Sequence, residues 1–242
     1  MKKYIFLGLR YVKIDVDKNL TIRKGNMIYT SCYKEWKSDK FTTYSISRDC
    51  GKDAGYSGKC YLGLAPNASF WKVWRNNIGK ISEEENNKYY VQEYWKEVLS
   101  KLDPEEVYNE LDNSVLLCYE PNYEFCHRHI VAAWFKLFLG IDILEKKSND
   151  NEVIEVDKPE YIEKYLEDAI RSSKDMKGFN SIKALYLFEK SEKLEALANE
   201  QEQKTGESSI YLRQKASLLR CCAKKEEKNN TLNNNVIKKV LR

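Results

Sequence analysis

The fold is decided by residues 114–144, which read SVLLCYEPNYEFCHRHIVAAWFKLFLGIDIL. Ser114–Tyr119 forms a short apolar run of the kind that is typical of a buried strand. After Pro121, apolar residues recur at helical spacing until Gly140, which ends the predicted helix. Ile141–Leu144 then predicts another strand. A strand, a helix and a strand in this order form a βαβ unit, which predicts a parallel or mixed sheet.

Other parts of the chain add elements around this unit. Short apolar runs at Tyr4–Leu9 and Met27–Ser31 predict two more buried strands. Ser82 opens a capping box and Asp103 precedes a proline, so each predicts the start of a helix. Residues 45–66 carry four glycines and predict a long irregular loop, and loops of this length are often functional. The predicted fold class is therefore α/β, with a parallel or mixed sheet flanked by helices.

The composition of the chain changes after residue 147. A polar stretch marks a boundary there, and three segments with helical spacing of apolar residues follow it. We predict an α/β domain over residues 1–147 and an all-helical extension over residues 148–242. Lys224–Asn235 is rich in Lys, Glu and Asn, which predicts a mobile tail.

Composition excludes several classes of protein. The 17 Tyr, 8 Phe and 5 Trp among 242 residues exclude disorder throughout the chain. The longest apolar run, Ile130–Phe135, is too short to cross a membrane, and the run Tyr4–Leu9 ends at Arg10, too short for a signal core. We therefore expect a cytoplasmic protein that has no membrane partner.

The net charge of +4 hides an uneven distribution. Residues 1–81 hold 16 Lys and Arg against 6 Asp and Glu, an excess of +10. Several of these cations alternate with aromatic side chains, as in residues 33–37 and 70–75, and this pattern favours contacts with phosphates and stacked bases. The alternative is a solvated positive face over a core that contains tryptophan.

The seven cysteines are at positions 32, 50, 60, 118, 126, 221 and 222. The odd number and the adjacent pair argue against a disulfide framework and for a reducing compartment. Because no pair has CxxC spacing, we predict no cofactor. The weaker alternative is a zinc site in which Cys50 or Cys60 joins Cys118, Cys126 or His127.

Residues 117–129 hold the densest group of reactive side chains, including both histidines of the chain. They lie between a predicted strand end and a predicted helix start, where open α/β sheets bind ligands and helix N–H groups attract anions. Cys126 is a candidate nucleophile and His127 a candidate proton donor or acceptor. Glu120 is a candidate general base or the group that orients the histidine.

The other reactive residues of this segment each have two interpretations. Arg128 could bind a phosphate or carboxylate of the substrate, or form a salt bridge with a neighbouring acid. Cys118 could act in catalysis or pack as a core residue of its strand. His129 lies two residues beyond His127 and should face another side of the helix, which favours a structural role.

Residues 116–120 and 125–129, Leu-Leu-Cys-Tyr-Glu and Phe-Cys-His-Arg-His, resemble the signature of the domain of unknown function 488 (DUF488) family. The resemblance covers about residues 1–147, and further segments agree in order: residues 29–33, 45–48, 64–66 and 102–107. It implies a small α/β domain in which Cys118 and Cys126 have functional weight, together with Glu120, His127 and Arg128. Candidate substrate-binding residues in the matching segments are Ser31, Cys32, Tyr33, Arg48 and Arg128.

The favoured interpretation is an enzyme, a hydrolase or a transferase, that acts on a nucleotide or nucleic acid. The sequence leaves open whether Cys126 attacks covalently or whether His127 and Glu120 catalyse acid–base hydrolysis, for instance of a glycosidic bond. One alternative is a nucleic-acid or nucleotide binder without turnover, such as a sensor or a factor in phage–host conflict. Another is a zinc-stabilised interaction protein whose C-terminal helices recruit a protein partner.

Overall fold

The computed structural model describes residues 2–7, 10–15, 27–148, 152–206 and 208–240. Residues 27–177 form one compact unit, and the last two helices belong to a second. In the second unit, strands β1 (Lys2–Leu7) and β2 (Arg10–Asp15) form an antiparallel hairpin. Strand β1 confirms an element predicted at Tyr4–Leu9, whereas β2 was not predicted.

A six-stranded mixed sheet forms the centre of the unit 27–177. Its spatial order is β5-β4-β6-β3-β7-β8, and all neighbours are parallel except the edge pair β7 and β8. This sheet confirms the predicted α/β class. Its strands are β3 (Ile28–Cys32), β4 (Thr42–Ser45), β5 (Lys59–Cys60), β6 (Ser114–Cys118), β7 (Leu144–Ser148) and β8 (Val153–Val156).

Strand β6 lies between β4 and β3, and all five of its residues are buried. An uninterrupted apolar run is what a parallel strand needs when both faces of the sheet are covered. Cys118 is in register with Cys32 of β3, and Leu117 is in register with Ser45 of β4. The three strands therefore end at the same edge of the sheet.

Five helices accompany the sheet: α1 (Ala68–Asn77), α2 (Glu83–Glu97), α3 (Pro104–Glu110), α4 (His127–Leu139) and α5 (Tyr161–Ser173). The predicted caps are present, since Ser82 accepts a hydrogen bond from the Glu85 amide and Asp103 accepts bonds from the first turn of α3. Gly140 ends α4 with φ 71°, a left-handed conformation that glycine adopts without strain. Local sequence therefore sets the helix boundaries that frame the site.

Helix α4 is the most buried helix of this unit. It packs on β3 and β6 and also contacts α2, α3 and α5. Its largest side chains, Trp134 and Phe135, are fully buried. Beyond its first turn the helix is apolar except for Lys136, which lies at the surface. The polar residues of that first turn are exceptions that need a functional or electrostatic reason.

The second predicted strand of the βαβ unit is displaced. Strand β7 begins only at Leu144, and the preceding Ile143 is buried in the connection. The position of β7 was not predicted because most of its residues are polar, whereas the prediction relied on apolar runs. Strand β8 was also missed, because it is an edge strand of four residues, none of them buried, that pairs antiparallel with β7.

The second unit contains α6 (Ile182–Thr205) and α7 (Ile210–Val240). The two helices are antiparallel, as the pairs Arg213–Glu202 and Arg220–Glu195 show, and Glu227 accepts hydrogen bonds from the amides that precede α6. Residues 224–235, which we expected to be mobile, are helical. Their mobility, the domain boundary near residue 147 and a protein partner for these helices stay predictions. Within the described ranges, no helix is long and apolar enough to cross a membrane.

Candidate active site

The candidate active site lies at the sheet edge where β3, β4 and β6 end. Cys118 is the last residue of β6, and Cys126 is the N-cap of α4, with an extended backbone before the first helical residue, His127. The connection of residues 119–125 therefore returns the chain to the strand end that it left. This is the edge at which open α/β sheets bind their ligands.

Cys118, Cys126 and His127 form a compact buried cluster. His127 Nδ1 lies 3.5 Å from Cys118 Sγ and 3.9 Å from Cys126 Sγ. The other ring nitrogen, Nε2, lies 2.9 Å from the carbonyl oxygen of Ile46, to which it can donate a hydrogen bond. That bond fixes the ring so that Nδ1 faces the two sulfur atoms.

The two thiols of the cluster differ in pKa because their surroundings differ. Burial acts to raise the pKa of Cys126, but the hydrogen bond from Cys118 and the positive charges of Arg128 and His127 hold that pKa well below its usual value. Burial and the neighbouring Cys126 raise the pKa of Cys118 well above its usual value. Cys126 is therefore the more acidic thiol of the pair, whereas Cys118 keeps its proton and donates it to Glu120 Oε2.

His127 and Glu120 respond to the same negative charge. Burial acts to lower the pKa of His127, but Cys126 and then Glu120 outweigh it and raise that pKa. Burial, reinforced by the negative Cys126, raises the pKa of Glu120 to about 7. Glu120 Oε2 lies 3.3 Å from Cys118 Sγ. The site thus combines a thiol of lowered pKa, an imidazole of raised pKa and a carboxyl group whose pKa of about 7 lets it give or take a proton near neutral pH.

Arg128 faces away from this cluster. Its side chain is fully buried, its Nε donates to Glu145 at 3.0 Å, and Nη2 lies 2.9 Å from the same carboxylate. Nη1 donates to the backbone carbonyl of Glu120 at 2.7 Å. His129 Nε2 lies 3.4 Å from Glu145 as well. Arg128 therefore forms the salt bridge that the sequence left open as an alternative, and we assign it no direct contact with substrate.

The structure separates the other candidate substrate-binding residues. Ser31 and Cys32 are buried in β3, where Ser31 donates a hydrogen bond to the backbone of β7. Tyr33 Oη lies 2.6 Å from Ser45 Oγ and 2.7 Å from Ser47 Oγ, so it supports the loop after β4. Arg48 lines the cavity described next. Ser31 and Cys32 do not reach the cavity because β3 is an interior strand whose side chains are covered on both faces.

A cavity of about 580 Å³ opens above the cluster. Cys118, Glu120, Cys126 and His127 form part of its lining. The aromatic and cationic residues of its wall are Trp71, Trp74, Tyr90, Tyr119, Phe125, Arg48 and Arg75. Residues 70–75, which the sequence marked as a basic aromatic segment, thus lie in α1 and supply one wall.

The loop of residues 45–66 forms another wall, and Asp49 organises it. Asp49 accepts hydrogen bonds from the amides of Gly51 and Asp53 and from the hydroxyl of Tyr119. Burial opposes ionisation of Asp49, but these bonds lower its pKa to about 2. Sequence reasoning missed both Asp49 and Tyr119. The Asp-x-Gly spacing is a local signal for such a turn, whereas Tyr119 reaches Asp49 only through the fold.

Two further features define the same loop. Cys50 and Cys60 form a disulfide, so neither supplies a thiolate to the zinc site considered as an alternative. This bond departs from the expectation that the cysteines are reduced. It forms because the loop brings the two Cα atoms to 5.5 Å. Gly51 has φ 74°, and a Cβ there would lie 2.7 Å from the Tyr33 ring. Glycine is therefore required at this position.

The cluster could also hold a metal ion. The ligand atoms of Cys118, Cys126 and His127 lie within 4.8 Å of one another. The donor set of two sulfurs and one nitrogen suits zinc, and three protein ligands would leave a fourth position open. The hydrogen bond from His127 Nε2 to a backbone carbonyl is also usual for a metal-binding histidine.

The comparison with known proteins identifies the core of this unit. Residues 31–137 match a family model described as "DUF488-N3a: Active DUF488-N3 subclade". No curated protein and no solved structure gives a significant match. The matched range includes both cysteines of the cluster, His127 and Glu120, as well as the loop that contains Asp49. The match confirms the resemblance drawn from the Cys-Tyr-Glu and Cys-His-Arg motifs, and residues 31–137 of this chain are similar to the DUF488 family.

Proposed function

We propose that this protein is an enzyme that acts on a nucleotide or nucleic acid, with Cys126 as its nucleophile. The observation that carries the proposal is the pairing of Cys126 with His127 at a cavity lined by tryptophans and arginines. A thiolate beside an imidazolium is ionised and nucleophilic at neutral pH. The start of α4 supports this charge, because the free N–H groups and dipole of a helix N-terminus favour an anion.

The cavity wall supports the substrate class. Trp71 is 36% exposed, and the Arg75 guanidinium lies over its ring, 5.5 Å from the centroid. An exposed tryptophan offers a face on which a base can stack, and Arg75 and Arg48 offer donors for phosphate oxygens. The cavity volume falls within the range of ordinary small-molecule sites. Together these features suit a nucleotide or one nucleotide unit of a strand.

Glu120 provides the proton transfers that the reaction needs. Cys126 Sγ attacks an electrophilic centre of the substrate, and the leaving group departs with a proton from Glu120. Glu120 then takes a proton from water, whose oxygen displaces Cys126 and regenerates the thiolate. A pKa of about 7 allows the same carboxyl group to act first as acid and then as base.

The test is turnover by the full chain against nucleoside mono-, di- and triphosphates and single-stranded RNA and DNA, with products separated by chromatography. We expect at least one of these substrates to be consumed. Cys126→Ser should reduce the rate by more than about 10³-fold, because it removes the nucleophile. The matched control is Cys221→Ser, an exposed cysteine of α7, which should leave the rate unchanged.

A second candidate function is a nucleic-acid or nucleotide binder without turnover, and the same wall of tryptophan and arginine favours it. Such a protein would bind single strands with an affinity that falls steeply as salt rises. This second function would be favoured over the enzyme if binding depends on salt, no substrate of the panel gives a product and Cys126 carries no covalent adduct.

A further inference from the structure

Two free thiols face each other in the candidate active site. Cys118 ends β6 and Cys126 precedes α4, and their sulfur atoms lie within 4.8 Å of each other. Both residues line the cavity, so a small molecule that enters it can reach them. A reactive thiolate beside a second thiol is the arrangement in which an oxidised cysteine is converted to a disulfide.

We propose that Cys126 and Cys118 form a site of reversible oxidation, at which a peroxide converts the two thiols into a disulfide. This inference adds regulation to the same site and rests on the proposed function in taking Cys126 as the reactive thiol. The positions of the two cysteines support the roles, because Cys126 begins helix α4, where free N–H groups favour a thiolate, whereas Cys118 donates its proton to Glu120.

The chemistry has two steps. Cys126 Sγ attacks one oxygen of the peroxide, a sulfur–oxygen bond forms, and the oxygen–oxygen bond breaks as hydroxide or alkoxide leaves with the electron pair. Cys126 is then a sulfenic acid. Cys118 Sγ attacks that sulfur, the disulfide forms, and the hydroxyl leaves as water with the Cys118 proton. Glu120 Oε2, 3.3 Å from Cys118 Sγ, can relay this proton.

The disulfide would stop the proposed reaction. It ties the end of β6 to the start of α4 and removes the thiolate that His127 stabilises. Exchange with a dithiol reverses it: two electrons pass to the protein disulfide, and the dithiol becomes oxidised. The site therefore has an active reduced form and an inactive oxidised form.

The other described cysteines are placed differently. Cys50 and Cys60 already form a disulfide. Cys221 and Cys222 lie on α7, in the second unit. Cys32 is a buried thiol in register with Cys118 on the neighbouring strand. Cys32 is therefore the competing partner that an experiment must exclude.

The test uses the full chain carrying Cys221→Ser and Cys222→Ser, so that exposed thiols do not cross-link molecules. The protein is treated with hydrogen peroxide, alkylated, digested without reduction and analysed by mass spectrometry. We expect a peptide in which Cys118 is linked to Cys126, loss of both from the alkylated pool, and recovery of both with dithiothreitol. Cys32→Ser in the same background is the matched control and should give the same linked peptide.

A variant separates the two steps. In Cys118→Ser the sulfenic acid has no thiol to attack it, so dimedone should label Cys126 to an extent that the parent protein does not show. Cys126→Ser should leave Cys118 reduced, because the attacking thiolate is gone. If Cys118→Ser does not fold, peptide mapping of the parent protein still decides the question.

Three results would overturn the proposal: a link from Cys118 to Cys32, further oxidation of Cys126 in the parent protein without a link, or stoichiometric zinc that protects both thiols. These readouts are made on the protein itself. Absence of turnover with every nucleotide would therefore remove the proposed function without affecting this test.

Discussion

Two polar clusters lie at the start of α4, and they face opposite ways. Cys126 and His127 face the cavity together with Cys118. Arg128 and His129, the next two residues, face Glu145 of β7 in the protein interior. Both clusters are buried and both contain charge. They differ in access: Cys118, Cys126 and His127 line the cavity, whereas Arg128 and His129 do not.

The difference shows how one short motif can serve two purposes. Successive helical residues are rotated by about 100°, so the four residues Cys126–His129 cannot share one face. We call Arg128, His129 and Glu145 the inner cluster, and Cys118, Cys126 and His127 the outer cluster. The inner cluster supports the outer one, because the buried positive charge of Arg128 lowers the pKa of Cys126 and Arg128 Nη1 donates a hydrogen bond to the backbone of Glu120. Arg128 is thus a positioning residue that acts through its neighbours.

The largest expected effect comes from breaking the inner cluster. Glu145→Gln leaves the fully buried Arg128 without a countercharge, and removal of one partner of a buried ion pair costs about 3–5 kcal/mol. We expect the free energy of unfolding in urea to fall by this amount. The matched control is Glu163→Gln, which removes an ion pair with Lys136 at the surface and should cost less than about 1 kcal/mol. Equal losses for the two variants would show that the inner pair adds no special stability.

The next effect concerns the cavity side of the comparison. Trp71→Ala removes the exposed stacking face, and each stacked base contributes about 1–3 kcal/mol to binding. We expect weaker binding of a nucleotide at the proposed site, measured by titration calorimetry, with unchanged unfolding in urea. Val73→Ala is the control on the same helix, since Val73 is exposed and lies outside the cavity lining. Equal affinities of the two variants would exclude Trp71 as the stacking platform.

The smallest expected effect concerns the pKa of Cys126 in the outer cluster and its dependence on the charge of His127. The pKa of Cys126 is lowered, so its alkylation by iodoacetamide should persist below the pH at which an ordinary thiol stops reacting. His127→Gln removes the positive charge, so we expect the midpoint of the rate–pH profile to rise by about one unit. An unchanged midpoint would mean that the lowered pKa of Cys126 does not depend on the charge of His127. The rate is followed by mass spectrometry of the Cys126 peptide.

Features that depend on neighbours in the sequence were predicted well. Ser82 and Asp103 cap their helices, Gly140 ends α4, and the run Ser114–Tyr119 contains the central strand β6. Each rests on a hydrogen bond or a backbone preference that spans a few residues. The proximity of Cys118, Glu120, Cys126 and His127 followed in turn, because a predicted strand end and helix start enclose them.

Features that depend on distant partners were not predicted. Glu145 lies 17 residues beyond Arg128 in a strand whose start was misplaced. Asp49 meets Tyr119 across 70 residues, and Ile46 accepts from His127 across 81. No short-range pattern records these contacts, because they arise only when β4, β6, β7 and α4 pack together.

The sequence by itself determined the class of fold and the group of reactive side chains, since apolar spacing, caps and motif composition are local properties. The tertiary structure decided which residues of that group face the cavity and which face the interior. It also placed the Trp71–Arg75 wall and the Asp49 loop around the cluster. The physical reason is that a side chain's charge state and access depend on what is packed against it, and only the folded chain specifies those neighbours.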